Sequence, residues 1–295
     1  MSAIVERLRG GVVAAVPAPF RDGALDRAAQ QEYARSLAAE PLAGVAVWAH
    51  TGRGPHLGRD QRRDVLASWR AGLPGKLVIA GVSDADMLRD AESGGADAVL
   101  VFPVATDPIR HHEAMSRQLP VILFWLYEGA GGVAYDDATL HRLLDLPNVI
   151  GIKIATLDSV MTFQRLAALV RQHPGKLVVT GEDRFFGYSI MCGADCALIG
   201  LAAALPALSC ALFQAKETRE AGRFLELSAT CDRFAAATFR EPMEGYVRRM
   251  LWAAAAEGRL PPEACDDPWG PVLPMNEQDD VIEAVRHARS ALARL

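Results

Sequence analysis

The stretch Asn148–Asp158, NVIGIKIATLD, decides how the rest of the chain is read. Val149 to Ala155 is a run of aliphatic and small residues of the kind found in strands covered on both faces, which belong to parallel sheets flanked by helices. One charge, Lys153, interrupts the run. Side chains alternate along a strand, so Ile150, Ile152 and Ile154 are expected on one face and Gly151, Lys153 and Ala155 on the other. The lysine then projects among neighbours too small to crowd it. From these residues alone two readings stay open: a reactive amine, or a strand-end lysine that snorkels to solvent or pairs with a carboxylate such as Glu182.

Working outward, similar apolar runs recur at 11–16, 44–49, 77–82, 97–102, 121–126, 177–180 and 196–201. Helix-like segments lie between most of them, at 27–39, 59–71, 84–94, 136–145, 158–172 and 205–216. Eight strands alternating with helices is the pattern of a parallel (β/α)8 barrel, so the sequence predicts an α/β fold, a TIM barrel, over residues 1–216. An open nucleotide-binding sheet would need a glycine-rich phosphate turn after the first run, and VPAPFRDG (16–23) is not one. Turn and capping chemistry punctuates the repeats at Arg21-Asp22-Gly23, Ser83-Asp84 and Asp136-Asp137. Beyond residue 216 the strand runs stop. Segments 217–238, 241–257 and 277–293 read as helices, the last two joined by the Pro-rich stretch LPPEACDDPWGPVLP (260–274), which predicts a C-terminal helical appendage, 217–295, packed on the barrel.

The bulk properties narrow the class. The 295 residues are 51% hydrophobic, ample for a large core, and carry a net charge of −5. Basic residues are scattered, as in RRDVLASWR (62–70), so no nucleic-acid partner is expected. No run approaches the ~18 apolar residues of a membrane span, and no membrane partner is expected either. The opening MSAIVERLRGGVVAAVPAPF has a brief apolar run containing Pro17 and reads as a first strand, not a signal peptide. Five cysteines without a Cys-x-x-Cys pair read as free core thiols, with the cytoplasm as the expected compartment. Cys192/Cys196 and the adjacent His111-His112 make poor metal sites, and GRGPHLG (52–58) has the wrong spacing for a nucleotide loop. Neither a metal nor a cofactor is expected.

In such barrels the chemistry sits at the C-terminal ends of the strands. Those ends carry His50-Thr51-Gly52, Trp125–Tyr127, Lys153, Gly181-Glu182-Asp183 and Gly200, among others, and Lys153 is the only lysine there. Desolvation lowers the pKa of an amine, and a neutral amine attacks a ketone to form a Schiff base. His50 is a candidate general acid/base or carboxylate ligand, or else an imidazole bonded to a loop carbonyl. Tyr127 is a second proton-transfer candidate, but strict alternation sets it opposite Phe124, so it needs a bulge or turn to point inward; otherwise it is a half-buried packing residue. The apolar Phe102, Phe124 and Trp125 suggest a substrate whose distal part is less polar than a sugar acid.

Five segments in their order resemble the dihydrodipicolinate synthase/N-acetylneuraminate lyase family of pyruvate-type class I aldolases: VPAPFRDGALD (16–26), GVAVWAHTGRGPHLGRDQR (44–62), LPVILFWLY (119–127), NVIGIKIATLD, and VTGEDRFF with GADCALIG (179–186, 193–200). The resemblance covers almost the whole chain. It implies Lys153 as the Schiff-base lysine, Thr51 and the N–H groups around Thr51-Gly52 as the holders of a substrate carboxylate, Phe124 and Gly181 as substrate neighbours, and a homo-oligomer, tetramer or dimer. It also implies a small 2-oxo acid as substrate. The chain departs from the family pattern at several positions. The proton-shuttling tyrosine falls on Phe124, the first Thr or Ser of the Thr-Thr-Gly-Glu loop on His50, and its glutamate on Arg53. The tyrosine that a neighbouring subunit presents falls near Ala105, and EGAGG (128–132) stands where an arginine follows strand five in the synthases. The expected function is therefore a Schiff-base lyase (aldolase, hydratase-aldolase or dehydratase) on pyruvate or another 2-oxo acid. A turnover-impaired 2-oxo-acid sensor or partner protein ranks second, and a true dihydrodipicolinate synthase third.

Overall fold

Each apolar run becomes a strand because both its faces are covered: β1 (Val12–Ala15), β2 (Gly44–Val47), β3 (Leu77–Val82), β4 (Ala98–Val101), β5 (Val121–Leu126), β6 (Val149–Ala155), β7 (Leu177–Thr180) and β8 (Cys196–Ile199). Every residue of these strands is buried. They pair in parallel in chain order, and β1 closes the ring by pairing with both β2 and β8. The computed structural model describes residues 3–274 and 276–294, and within them the architecture is a closed (β/α)8 TIM barrel followed by helices.

Val13, Ile79, Leu100, Ile122, Phe124, Val179 and Leu198 belong to an interior cluster, so the barrel is a packed core and not a pore. A short helix that the sequence does not predict, α1 (Ala3–Leu8), adds Val5 and Leu8 to that cluster. The face assignment of β6 needs one correction. Val121 of β5 pairs with Val149 but Ile122 pairs with Gly151, so the register skips Ile150. That irregularity turns Ile150 into the interior cluster, while Ile152 and Ile154 pack outward under the helices. Lys153 keeps its inward direction.

The barrel helices are α2 (Arg27–Ser36), α3 (Arg59–Gly72), α4 (Ala85–Ser93), α5 (Pro108–Met115), α6 (Asp137–Leu144), α7 (Val160–Val170), α8 (Phe186–Met191) and α9 (Pro206–Glu217). Four start at aspartates whose side chains accept backbone N–H bonds: Asp26 from Ala29, Asp84 from Asp86 and Met87, Asp107 from Arg110, and Asp136 from Thr139. Each such cap stabilises by about 1 kcal/mol. The six-residue α8 is too short for a helical period to register in the sequence. Around the Arg21-Asp22-Gly23 turn, Phe20–Arg21 and Ala24–Leu25 form a small antiparallel hairpin.

The C-terminal region contributes α10 (Ala221–Thr238), α11 (Tyr246–Ala256) and α12 (Glu277–Leu292). α10 packs on α8, α9 and α12. Among the described residues no helix is long and apolar enough to cross a membrane. The second of these helices begins later than the sequence predicts because 239–245 is held in an irregular path by Arg249, which is fully buried. Its guanidinium donates to the carbonyls of Arg240 (2.7 Å), Pro242 (3.2 Å) and Glu241 (3.3 Å) and pairs with Glu277 Oε2 at 2.7 Å. Arg249→Met should cost about 3 kcal/mol in urea unfolding, because buried Glu277 keeps only the Arg240 guanidinium, 3.7 Å away, and the carbonyls of 240–242 lose their donor. Adding Glu277→Leu should recover part of the loss; a double variant as unstable as the single one would contradict this role.

Candidate active site

Lys153 pairs across the sheet with Phe124 on β5 and Val179 on β7, and its side chain runs toward the C-terminal mouth of the barrel. Gly181 makes room for it: a Cβ there would fall 2.6 Å from Lys153 Cε. Only 5% of Lys153 is exposed, so it does not snorkel to solvent. Its Nζ sits 4.3 Å from the centroid of the Phe124 ring, and it joins none of the ion pairs among the described residues. Burial pushes the amine down to about 8, against the opposing pull of the Asp183 and Glu182 charges.

Glu182 is not the lysine's partner. It accepts from the Thr156 N–H (2.6 Å), the Thr156 hydroxyl (2.9 Å) and the Leu157 N–H (3.0 Å). Burial nonetheless pushes its carboxyl up to about 7. These bonds hold the turn after β6, where Leu157 takes the left-handed φ of 65°. Asp183 accepts from the N–H groups of Leu201 (2.8 Å) and Gly200 (3.3 Å); burial raises its carboxyl while those bonds and the Lys153 charge oppose the rise.

The loop after β2 folds tightly over the barrel mouth. Gly52 packs where a Cβ would meet Trp48 N and Val16 O at 3.0 Å, and Gly54 where one would strike Trp48 O. Gly52 thus shapes the loop, and its side does not line the lysine cavity; Thr51 and His50 do. Arg53, 5% exposed, points away toward the C-terminal region. It makes a two-pronged pair with Asp267 (Nε–Oδ1 3.1 Å, Nη2–Oδ2 2.7 Å) and donates to Glu244 Oε2 at 2.7 Å.

Sequence reasoning missed the part of the site that this clamp brings in. Tyr246, the first residue of α11, lies between the rings of His50 and Phe239, with centroids 5.8 and 4.7 Å away. Its hydroxyl donates to Thr51 Oγ1 at 3.1 Å and lies 2.9 Å from His50 Nδ1. Glu244 Oε1 is 3.3 Å from His50 Nε2 and accepts the Tyr127 hydroxyl at 2.9 Å. Tyr127 reaches inward because β5 ends at Leu126 and the chain turns, so no bulge at the strand end is required. Nothing in the local sequence around Tyr246 or Glu244 marks them, since only the closed fold brings residues 244–246 over the loop at 50–53.

Lys153, His50, Thr51, Phe124, Tyr127, Gly181 and Tyr246 all line one cavity of about 30 Å3. That is room for about two waters. A wider cleft of about 1130 Å3 opens outside it, and Tyr127, Leu157 and Met243 line both. These three side chains form the wall between the cleft and the amine. The buried amine faces the smaller space, and no lysine or cysteine is among the residues that line the cleft.

A parallel (β/α)8 barrel carrying a buried lysine near the C-terminal end of its sixth strand defines the class. The dihydrodipicolinate synthetase family model matches residues 8–288, and the chain belongs to that family, whose members are lyases. The chain is 27% identical over 301 residues to a 4-hydroxy-tetrahydrodipicolinate synthase of Hyphomonas neptunium, covering 97% of this chain and 98% of that one. It is 31% identical over 191 residues to the same enzyme of Synechococcus sp. (strain WH7803), covering 59% of this chain and 62% of that one, so the match spans under two thirds of that relative. In fold it is similar to a prophage protein of the dihydrodipicolinic acid synthase family from E. coli K12, solved in complex with pyruvate, with a TM-score of 0.84, 20% identity and coverage of 95% and 98%.

The Glu244 contacts carry a pH consequence. Burial works against its ionisation, but His50, Arg53 and Tyr127 outweigh burial and hold the carboxyl down at about 2. A carboxylate depressed on folding stabilises fully above its unfolded value near ~4.3, and that contribution is lost as pH falls toward the folded value. Thermal unfolding between about pH 5 and 2 should therefore show a decline that Glu244→Gln makes shallower; an unchanged slope in the variant would contradict the contacts.

Proposed function

We propose that the chain is a lysine Schiff-base lyase acting on pyruvate or another 2-oxo acid through Lys153. The observation that carries this reading is a nearly buried amine facing an aromatic ring where a carboxylate partner would otherwise stand. An amine of pKa about 8 is roughly one fifth neutral at pH 7.4, against ~0.1% for an ordinary lysine. The neutral amine attacks C2 of the 2-oxo acid, the oxygen leaves as water, and the protonated imine draws electrons from C3. Bonds to C3, or to a leaving group beyond it, then break or form with that positive nitrogen as the electron sink.

Thr51 supports the substrate-binding half of the reading. Its Oγ1 accepts from Tyr246, which leaves its own proton to donate to a carboxylate. The amides of Thr51 and Gly52 have no acceptor among the described residues. Phe124 and Gly181 bound the space beside the amine. A substrate of three or more carbons must displace part of the wall formed by Tyr127, Leu157 and Met243.

The cleft beyond that wall informs the substrate class. Glu128, Asp158, Glu241 and Glu244 face it, with Arg184 as the opposing cation. A predominantly negative cleft disfavours a second carboxylate in the substrate, which argues for a neutral distal half and against dihydrodipicolinate synthesis as the reaction. The reading includes the homo-oligomer, tetramer or dimer, that the family resemblance implies.

Borohydride reduction in the presence of pyruvate, followed by peptide mass spectrometry, should find a reduced adduct on Lys153 and none in Lys153→Ala. Gly181→Ala, by driving a methyl against Lys153 Cε, should slow adduct formation on the order of 10²-fold. No adduct with pyruvate or with longer 2-oxo acids in the folded protein would overturn the reading and favour a binding protein.

A further inference from the structure

Phe124 leaves the strand beside Lys153 without a proton carrier, yet a phenol from another part of the chain enters the same cavity. Tyr246 has two acceptors within reach, Thr51 Oγ1 at 3.1 Å and His50 Nδ1 at 2.9 Å. On the far side of the imidazole, Glu244 Oε1 is 3.3 Å from Nε2. A carboxylate accepts only, so the neutral tautomer that satisfies this contact carries its proton on Nε2 and turns the Nδ1 lone pair toward the phenol. Arg53 fixes the carboxylate by its 2.7 Å bond to Oε2, and a further Arg53 bond to the Glu244 carbonyl (3.0 Å) fixes its backbone.

We propose that Tyr246 is the proton-transfer residue of this site, and that Glu244, His50 and Tyr246 form a carboxylate–imidazole–phenol relay whose carboxylate and phenol come from the C-terminal region in place of the missing strand tyrosine. The proposal rests on the Schiff-base reading of Lys153. In the protonated imine, the Tyr246 hydroxyl turns its one proton from Thr51 Oγ1 to His50 Nδ1, and Oη takes a proton from C3 as that proton passes to Nδ1. The C3–H electron pair moves into the C2–C3 bond, and the C=N pair moves onto the lysine nitrogen, giving the enamine. The positive charge of the imine thereby moves to the imidazole, where the Glu244 carboxylate stabilises it. Running the step backward returns a proton to C3. The phenol is neutral at both ends of the step, in keeping with its burial beside Glu244, which raises its pKa. Tyr127 donates to the same carboxylate oxygen and acts as a positioning residue.

The test is deuterium incorporation at C3 of pyruvate in D2O, followed by proton NMR, alongside borohydride trapping on the same samples. Tyr246→Phe should keep the Lys153 adduct and lose about 10²–10³-fold in exchange rate. His50→Gln, on the loop rather than in the packed helix, should also keep the adduct and slow exchange by about tenfold or more, which keeps the question open to test if Tyr246→Phe proves unstable. Exchange within about threefold of the unmodified chain in either folded variant, with the adduct intact, would overturn the relay. Absence of an adduct in the unmodified chain would instead strike the Schiff-base reading beneath it.

Discussion

The desolvation of one amine is the constraint around which the site is built. An ammonium removed from water without a facing carboxylate is costly, and the group relieves that cost by giving up its proton more readily. Several features keep Lys153 in this condition. β6 turns it inward, Gly181 leaves it space, and Phe124 covers it with a ring. Glu182, the nearest obvious partner in sequence, is occupied by the N–H groups of Thr156 and Leu157. Asp183 is engaged with the N–H groups of Gly200 and Leu201. The carboxylates near the lysine therefore organise the backbone, and the amine stays unpaired.

Three of the positions that depart from the family pattern the sequence resembles, Phe124, His50 and Arg53, gather at the barrel mouth. Phe124 removes a phenol from the fifth strand and puts an aromatic face against the amine. His50 and Arg53, two other departures, both contact Glu244. Arg53 also grips Asp267, so a loop of the barrel is tied at two points to the C-terminal region. That tie sets Tyr246 over the cavity, and Arg249 supports it from behind by fixing the path of 240–242. Read separately, the substitutions look like losses. Together they bring polar groups of the C-terminal region, Glu244 and Tyr246, against His50 and Thr51 at the barrel mouth.

The barrel was legible in the sequence because strands covered on both faces leave a strong compositional trace, and aspartate caps mark where the helices begin. Lys153, Thr51, His50 and Phe124 were legible as candidate site residues because they sit at strand ends, whose direction follows from alternation and from the resemblance, and all four line one cavity. Ile150 was misassigned because an irregular pairing with β5 is invisible in one strand read alone. Tyr246, Glu244 and Asp267 were not legible for a different reason. Tyr246 meets a histidine 196 residues earlier in the chain, in a region whose only sequence signal is helical, and no local motif encodes that encounter. Glu182 looked like a lysine partner because proximity in sequence says nothing about which way a buried carboxylate faces.

The most direct test of the central claim is the protonation of Lys153 itself. Lysine side chains labelled with 13C at Cε, with Lys153→Met to assign the resonance, report the midpoint by NMR as pH is raised. A single resonance titrating near about 8, well below the other lysines, is the expected result. A midpoint near the ordinary ~10.4 would mean that the amine is solvated or paired, and the account of a desolvated nucleophile would fail.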